Sequence, residues 1–185
     1  MKILTGDLKG QKIVGGQVSA TLRPTSDKAR KAIFDVLQGA FENKRVLDVF
    51  AGTGALGLEA LSQRAETVVF VEKERSSAAA IERNLERLGL KERGRVITGE
   101  VPVVLKRLFD DQIYDFIFLD PPYQTPLGLS TLEMLEASPL WHEDTIFLLE
   151  CHAKEKPPAI VGALNAIKAK LYGDTQVIFY KKAKN

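Results

Sequence analysis

Apolar and polar residues alternate along the chain in a way that predicts strands and helices in turn. Five short, largely apolar runs predict β-strands at residues 45–50, 67–72, 94–98, 114–119 and 145–150. Several of these runs are almost continuously apolar, which is typical of parallel strands covered on both faces. The segments between and after them predict helices at residues 55–63, 76–88, 102–109, 127–137 and 157–168.

The two ends of the chain each predict a β-hairpin. Residues 2–14 contain two extended stretches, and Gly173-Asp174 separates two more near the C-terminus. The strand–helix alternation between the hairpins predicts an α/β fold with a doubly wound, Rossmann-like, seven-stranded, mostly parallel sheet that ends in the C-terminal antiparallel hairpin. We expect residues 1–40 to form an N-terminal extension, a small hairpin followed by a helix, and residues 41–185 to form the main domain.

Composition restricts the class of protein. A chain of 185 residues with 45% hydrophobic and 27% charged residues fits a single globular domain. Its single cysteine, Cys151, can form neither an internal disulfide nor a cysteine-rich zinc site. No apolar run reaches the ~18 residues of a membrane span, and the N-terminus lacks the apolar core of a signal peptide. We therefore expect a cytoplasmic protein.

The positive charge is concentrated near the N-terminus. Residues 1–31 carry seven Lys and Arg against two Asp, a net charge of +5, whereas the remaining 154 residues carry a net charge of −3. A basic end on a mildly acidic body indicates a polyanionic partner. A solvated basic face without a partner is the alternative.

A glycine-rich loop follows the first predicted strand. Gly52, Gly54 and Gly57 spell G-x-G-x-x-G between a strand and a helix, so a ligand can approach the backbone and the helix N-terminus. Glu72 lies 20 residues after Gly52, at the end of the second strand, where an acid can accept hydrogen bonds from both hydroxyls of a ribose. The combination predicts a ligand that contains adenosine, with a tight turn and no ligand as the alternative.

Asp48 discriminates between two candidate ligands that contain adenosine. Its carboxylate, four residues before Gly52, would repel the pyrophosphate of NAD but suits the ammonium group and cationic sulfur of S-adenosylmethionine. The D-x-F-x-G-x-G pattern resembles motif I of the class I methyltransferases, which use that cofactor. The resemblance implies that the cofactor is bound by Asp48, Phe50, Ala51, Gly52, Thr53, Gly54, Glu72 and Lys73.

Glu100 and Val101 follow the third strand, where the class I methyltransferases have an acid that contacts the adenine amine. The usual residue there is aspartate, so Glu100 departs from the pattern by one methylene. By the resemblance, Glu100 binds the adenine amine and Val101 packs on the adenine face. The alternative for Glu100 is an acid that stabilises the start of a helix through the macrodipole.

The tetrapeptide Asp120-Pro121-Pro122-Tyr123 is the most specific motif in the chain. Two prolines after an apolar strand end the ladder and stiffen the turn. Asp120 and the Pro121 carbonyl can accept hydrogen bonds from an exocyclic amine, and Tyr123 offers a ring on which a flipped base stacks. The motif resembles motif IV of methyltransferases that act on adenine N6, cytosine N4 or guanine N2. The sulfonium methyl is already activated, so catalysis requires alignment rather than a metal.

Longer segments narrow the resemblance to one family. They are Gly6–Ile13 (GDLKGQKI), Leu22–Arg30 (LRPTSDKAR), Phe50–Ser62 (FAGTGALGLEALS) and the D-P-P-Y motif. Together they resemble the RsmD family of bacterial 16S rRNA guanine-N2 methyltransferases over nearly the whole chain. The resemblance implies a class I S-adenosylmethionine-dependent methyltransferase fold, transfer of a methyl group to N2 of guanine 966, and S-adenosylhomocysteine as the other product. The substrate would be 16S rRNA or the small ribosomal subunit.

Five residues of the basic N-terminal region are candidate RNA contacts. Arg23 and Arg30 are suited to phosphate, and Lys9 and Lys12 on the predicted hairpin would help to hold RNA. By the resemblance, the loop that contains Arg23 and Thr25 lies near the cofactor and the target base. Helix capping by Thr25 and a surface role for Arg30 are the alternatives.

Other functions stay open at this point. A DNA adenine-N6 methyltransferase would use the same pocket, although no segment is long enough for a sequence-reading DNA domain. An NAD-binding oxidoreductase would use the same glycine loop. A non-catalytic RNA-binding module would keep the fold without the chemistry. Among these, we expect a monomeric rRNA methyltransferase.

Overall fold

The computed structural model, which describes residues 1–15, 27–110, 112–123 and 125–183, has five α-helices and eight β-strands within them, and helices and strands alternate as far as β5. In chain order they are α1 Asp27–Val36, β1 Arg45–Asp48, α2 Ala55–Ser62, β2 Thr67–Glu72, α3 Arg75–Arg87, β3 Gly94–Thr98, α4 Val101–Arg107, β4 Tyr114–Leu119, α5 Leu127–Glu136, β5 Trp141–His152, β6 Ile160–Val161, β7 Leu164–Tyr172 and β8 Thr175–Lys182. A single turn of 3-10 helix, Lys91–Arg93, precedes β3. The alternation begins at β1, as predicted.

One eight-stranded sheet has the order β3-β2-β1-β4-β5-β8-β7-β6. Strands β1 to β5 pair in parallel, and β8 lies antiparallel between β5 and β7. The predicted Rossmann-like α/β class and the C-terminal hairpin are confirmed, and Gly173 turns that hairpin at a φ of 62°. The eighth strand, which the prediction lacked, is the two-residue β6 at the edge.

The helix predicted near residues 157–168 is wrong. Gly162, at a φ of 55°, turns the chain between β6 and β7, and residues 164–172 then pair with β8 along its whole length. The alanine-rich stretch has helical propensity, but propensity is a weak preference that pairing with a neighbouring strand overrides.

Helices cover both faces of the sheet. Helices α1, α2 and α3 contribute Phe34, Leu58 and Ile81 to the core on one face. On the other face, α4 and α5 contribute Leu105 and Leu132. Because both faces are covered, the central strands are almost wholly buried, which explains their continuous apolar sequence.

The parallel strands bring four acidic residues to one edge of the sheet. Asp48 ends β1, Glu72 ends β2, Asp120 directly follows β4, and Glu150 lies near the end of β5. The carboxyl ends of parallel strands meet at the same edge, and ligands of open α/β sheets bind in the crevice there. This edge, which we call the catalytic edge, is therefore the expected position of a ligand site.

The N-terminal segment packs onto the helices rather than standing apart. Lys2 and Lys12 form an antiparallel bridge, and Ile3 and Ile13 are buried in the same core cluster as α1 to α3. The division into a 1–40 extension and a 41–185 domain stays a prediction. Within the described residues, no helix is both long and apolar enough to cross a bilayer.

Candidate active site

The glycine-rich loop makes a tight turn at the catalytic edge. Gly54 is the N-cap residue of α2 and has a φ of 75°, a left-handed conformation that strains other residues. A Cβ atom on Gly57 would lie 2.2 Å from the Phe70 ring in β2. Only a glycine at this position lets α2 pack this closely on the sheet, so the third glycine of the motif has a packing role and the first two shape the loop.

Asp48 is a buried carboxyl group beneath that loop. Its Oδ2 accepts a hydrogen bond of 3.0 Å from the Gly57 N–H, whereas its Oδ1 has no hydrogen-bond partner among the described residues. Burial raises the pKa of Asp48 to about 7 against the lowering effect of the Gly57 N–H, and the charges of Asp120 and Glu72 add to the rise. A cationic group on a ligand would offset this cost of burying the charged carboxylate.

Glu72 holds the glycine loop in place. Its Oε2 accepts a hydrogen bond of 2.6 Å from the Gly52 N–H, and its Oε1 accepts one of 2.8 Å from the Glu74 N–H. Burial raises the pKa of Glu72, and these backbone hydrogen bonds lower it in part. Each carboxylate oxygen has two lone pairs, so the predicted contact with ribose hydroxyls is compatible with this geometry and stays a prediction.

The remaining predicted cofactor residues surround the same loop. Ala51 is buried, Phe50 and Thr53 are half-buried, and Lys73 is exposed at the end of β2. Glu100 is exposed in the N-cap position of α4 without a side-chain capping bond, and Val101 is buried in the core. Their cofactor contacts stay predictions.

The D-P-P-Y motif lies beside the glycine loop, at the end of β4. Asp120 is half-buried, Pro121 is buried, and the Tyr123 hydroxyl donates a hydrogen bond of 2.9 Å to Glu150 Oε1. The same hydroxyl lies 2.7 Å from Thr175 Oγ1. Burial raises the pKa of Tyr123 above its usual range, the Thr175 hydrogen bond lowers it, and the Glu150 charge raises it further. Tyr123 is therefore a neutral phenol.

A cavity of about 300 Å³ opens against the motif. Its walls come from the motif, α5, the end of β5 and the segment that follows β5, with lining residues Pro121, Pro122, Tyr123, Thr125, Pro126, Gly128, Leu129, Leu149, Glu150, Cys151, Glu155, Lys156 and Pro157. The Tyr123 ring meets His152 edge-on, with centroids 5.8 Å apart and planes at 80°. The mixture of apolar walls and a few polar groups suits a planar polar ligand such as a nucleobase.

None of the described basic residues of the N-terminal segment lines this cavity. Residues 1–8 run along α2, from Met1 near Thr53 to Asp7, whose N–H donates to the Ser62 carbonyl. Lys9 therefore lies beyond the far end of α2, which is about 12 Å long. Lys9 and Lys12 are both exposed. Arg23 and Thr25 lie outside the described residues.

The predicted role of Arg30 is wrong. It was a candidate phosphate contact, but its side chain is fully buried. Its Nε lies 3.2 Å from Glu59 Oε1, and its guanidinium donates hydrogen bonds to the Lys2 carbonyl and to Asp27. Glu59 also accepts hydrogen bonds from the backbone of Leu4 and Thr5. Arg30 thus ties α1 and the N-terminal segment to α2 instead of presenting a charge to RNA.

Sequence reasoning missed two residues of this site, Glu150 and Thr175. Glu150 had a visible signal, because it is a lone acid that ends the apolar run Ile146–Leu149 on the same edge as Asp120. Thr175 had no such signal, since only the antiparallel pairing of β8 with β5 brings it to Tyr123.

Known proteins resemble this chain over nearly its whole length. The family model described as conserved hypothetical protein 95 matches residues 1–181. Ribosomal RNA small subunit methyltransferase D of Buchnera aphidicola (subsp. Acyrthosiphon pisum) is 31% identical over 96% of this chain and 91% of its own length. The Escherichia coli K12 protein of the same name is 27% identical over 98% of this chain and 90% of its own length.

Solved structures share the fold. The Escherichia coli chain described as "Putative methyltransferase yhhF" has a TM-score of 0.86 and 26% identity, covering 100% of this chain and 99% of that chain. SMU.776, solved in complex with S-adenosylhomocysteine, has a TM-score of 0.66 and covers 82% of this chain and 48% of that chain; at 16% identity it shows the fold alone. With the predicted RsmD resemblance confirmed in this way, the chain belongs to the family described as conserved hypothetical protein 95, which is the RsmD family, and it has the methyltransferase fold.

Proposed function

We propose that the protein is an S-adenosylmethionine-dependent rRNA methyltransferase that modifies the N2 amine of a guanine in 16S rRNA. One observation carries the proposal. The glycine loop lies beside the D-P-P-Y motif at one edge of the sheet, because β1 and β4 are neighbouring parallel strands. Acidic residues end both β1 and β2 at that edge. A cationic adenosine ligand and a nucleobase amine could therefore meet there. The names of the relatives favour rRNA as the substrate.

The residues of the glycine loop fit S-adenosylmethionine. Asp48 Oδ1 is a buried carboxylate oxygen without a partner among the described residues, and the ligand's ammonium group would satisfy it. Glu72, at the end of β2, would accept hydrogen bonds from the ribose hydroxyls. The buried Asp48 carboxylate would repel the pyrophosphate of NAD, which disfavours that cofactor. When bound, S-adenosylmethionine supplies a methyl group that its sulfonium centre activates.

Asp120, Pro121 and Tyr123 would bind and orient the guanine. The Asp120 carboxylate and the Pro121 carbonyl would accept hydrogen bonds from the N2 amine and turn its lone pair toward the methyl group, which is catalysis by proximity and orientation. The Tyr123 ring stacks on the flipped base, a contact worth about 1–3 kcal/mol. Pro121 and Pro122 stiffen the turn, so these groups are arranged before the base arrives.

Guanine 966 of 16S rRNA, free or within the small ribosomal subunit, is the target that family membership favours. We further propose that the protein acts as a monomer in the cytoplasm, where ribosomes are assembled. The exposed Lys9 and Lys12, together with Arg23 and Thr25, are the proposed RNA contacts. Arg30 is left out because it is buried.

The test is methyl transfer from labelled S-adenosylmethionine to 16S rRNA, small ribosomal subunits and duplex DNA. We expect label in the rRNA substrates, at guanine N2 by mass spectrometry of the nucleosides. Asp120→Ala should lose transfer while binding of S-adenosylhomocysteine, measured by calorimetry, stays close to that of the wild-type protein. Asp35→Ala, an exposed acid on α1, is the matched control and should keep full activity.

Other outcomes select among the alternatives. Label in DNA alone would contradict the rRNA proposal and indicate a DNA amino methyltransferase. Binding of NAD without binding of S-adenosylhomocysteine would indicate an oxidoreductase. Full activity of Asp120→Ala would overturn the role of the motif.

A further inference from the structure

A buried carboxylate outside the D-P-P-Y motif contacts the motif's tyrosine. Glu150 has 0% relative exposure, and its Oε1 accepts the hydrogen bond of 2.9 Å from the Tyr123 hydroxyl. Nothing in the chemistry proposed above uses Glu150. Burying a carboxylate is costly, and a carboxylate in such a position normally has a partner that requires it.

The hydrogens around the Tyr123 hydroxyl can be assigned. A phenol has one hydrogen, and Glu150 Oε1 takes it when ionised. The Thr175 hydroxyl, 2.7 Å away, must then donate to the Tyr123 oxygen. The tyrosine anchor, formed by Tyr123, Glu150 and Thr175, therefore holds the hydroxyl from both sides. This fixes the position of the oxygen far better than a single hydrogen bond would.

The anchor also restrains the ring. Tyr123 comes directly after two prolines, and the Thr125 hydroxyl donates a hydrogen bond of 2.8 Å to the Pro122 carbonyl, so the backbone is held on both sides of the tyrosine. With backbone and hydroxyl both fixed, the ring plane has little freedom. The ring then presents the same surface to the cavity before and after a base enters.

We propose that Glu150 is a positioning residue that orients Tyr123 for stacking on the target base. The inference rests on the proposed function, because it assumes that Tyr123 stacks on a nucleobase. Glu150 touches neither cofactor nor methyl group in this proposal. In this proposal its effect on the reaction is exerted through the Tyr123 hydroxyl, and that dependence makes it testable.

A double-mutant cycle with Tyr123→Phe and Glu150→Leu tests the dependence. Each single substitution should lower kcat/KM for rRNA about tenfold, within the range that stacking contributes. The double variant should be no worse than the poorer single variant, because both substitutions break the same contact. Glu150→Gln keeps an acceptor oxygen and should restore activity to within about threefold of the wild-type level. Affinity for S-adenosylhomocysteine should not change.

Asp144→Asn is the matched control. Asp144 also joins β5 to β8, through a 2.8 Å ion pair with Lys181, but it is exposed and six residues from Glu150. We expect normal kinetics for this variant. If Glu150→Leu does not fold, the same cycle is run with Glu150→Met, which has nearly the volume of glutamate but no acceptor oxygen, and with Tyr123→Phe, with free energies of unfolding as a second readout.

Each outcome has a distinct meaning. Losses that multiply in the double variant would overturn the inference, since Glu150 would then act on the substrate or on the fold independently of Tyr123. A Glu150→Gln variant as poor as Glu150→Leu would also overturn it. Lack of any methyl transfer by the wild-type protein would overturn the proposed function and the stacking role with it. Coupling of the two residues in unfolding would still be measurable in that case.

Discussion

The glycine loop and the D-P-P-Y motif lie side by side at the catalytic edge, yet they are held in different ways. In the glycine loop, the carboxylates of Asp48 and Glu72 bind backbone N–H groups 9 and 20 residues away in sequence. In the D-P-P-Y motif, Tyr123 is held by side chains 27 and 52 residues away. The first is a local structure that the backbone completes, and the second depends on strands from the far end of the chain.

This difference has a consequence for function. Changes in the glycine loop should alter the loop's backbone and the cofactor with it. Changes in the tyrosine anchor should leave the backbone intact and alter the RNA step alone. The proposed cofactor site is built from the continuous β1–α2–β2 segment, whereas the proposed base site is assembled from β4, β5 and β8.

The largest expected effect concerns the contact between α1 and α2. This contact makes the position of α2, and with it the glycine loop, depend on residues distant in sequence as well. Arg30→Ala would leave Glu59 with a buried and incompletely compensated charge, since the two side chains are both fully buried and 3.2 Å apart. We expect the free energy of unfolding to fall by about 3–5 kcal/mol, measured by urea titration. The affinity for S-adenosylhomocysteine should fall as α2 loosens.

The matched control for Arg30→Ala is Arg45→Ala. Arg45 pairs with Glu66 at 3.5 Å, but both side chains are about half exposed. Such a surface pair contributes about 0–1 kcal/mol. Equal losses in the two variants would show that burial of the Arg30–Glu59 pair has no special importance.

The pH dependence of stability tests the glycine-loop side through Asp48. Its folded pKa is about 7, above the unfolded value of about 3.9, so the folded protein holds a proton that the unfolded chain releases. The contribution of that proton is complete below about pH 4 and is lost as the pH rises through 7. It amounts to at most about 4 kcal/mol. Asp48→Asn should remove this fall in stability between pH 4 and 8.

Asp115 provides the control of opposite sign. Although burial alone would raise its pKa, hydrogen bonds from the Arg45 N–H and the Lys44 ammonium group lower it overall. Its contribution is therefore present at neutral pH and lost on acidification, and Asp115→Asn should flatten the acid limb instead. If Asp48→Asn and Asp115→Asn changed the pH profile in the same direction, the raised pKa of Asp48 would be contradicted.

The smallest expected effect concerns the D-P-P-Y side. Thr175→Val removes one hydrogen bond from the Tyr123 hydroxyl and should lower the free energy of unfolding by about 1 kcal/mol. Thr67→Val is the control, because the buried Thr67 hydroxyl has no hydrogen-bond partner among the described residues. That substitution should be neutral or stabilising in the same urea titration. A loss for Thr67→Val as large as for Thr175→Val would mean that the hydroxyl of Thr175 contributes nothing specific.

Local patterns predicted the central part of the fold well. The bounds of β2, β3 and β4 agree with the apolar runs at 67–72, 94–98 and 114–119. Strands β2 and β4 are almost wholly buried, so nearly every position in them favours an apolar side chain, whereas β3 at the edge of the sheet is only partly buried. The prediction for segment 157–168 failed because β6 and β7 are largely exposed and lack a continuous apolar run, and because the pairing of β7 with β8 cannot be seen in the sequence of that segment.

Charged residues also differ in how far their positions could be predicted from the sequence. The shared edge of the acids that end β1 and β2 could be predicted from the sequence, because neighbouring parallel strands end at one edge. Arg30 could not be assigned correctly, since its charge looks the same in sequence whether it meets solvent or Glu59. The net charge of +5 near the N-terminus thus overstated the surface that is open to RNA.

By itself, the sequence determined the strand–helix alternation, the glycine loop, the D-P-P-Y motif and the family. Each of these depends on residues close together in the chain or on a spacing that parallel strands impose. Only the tertiary structure decided that Arg30 is buried against Glu59 and that Glu150 and Thr175 hold Tyr123. Those contacts join residues 27 to 52 positions apart, and their energy comes from desolvated partners that become neighbours only when the sheet has formed.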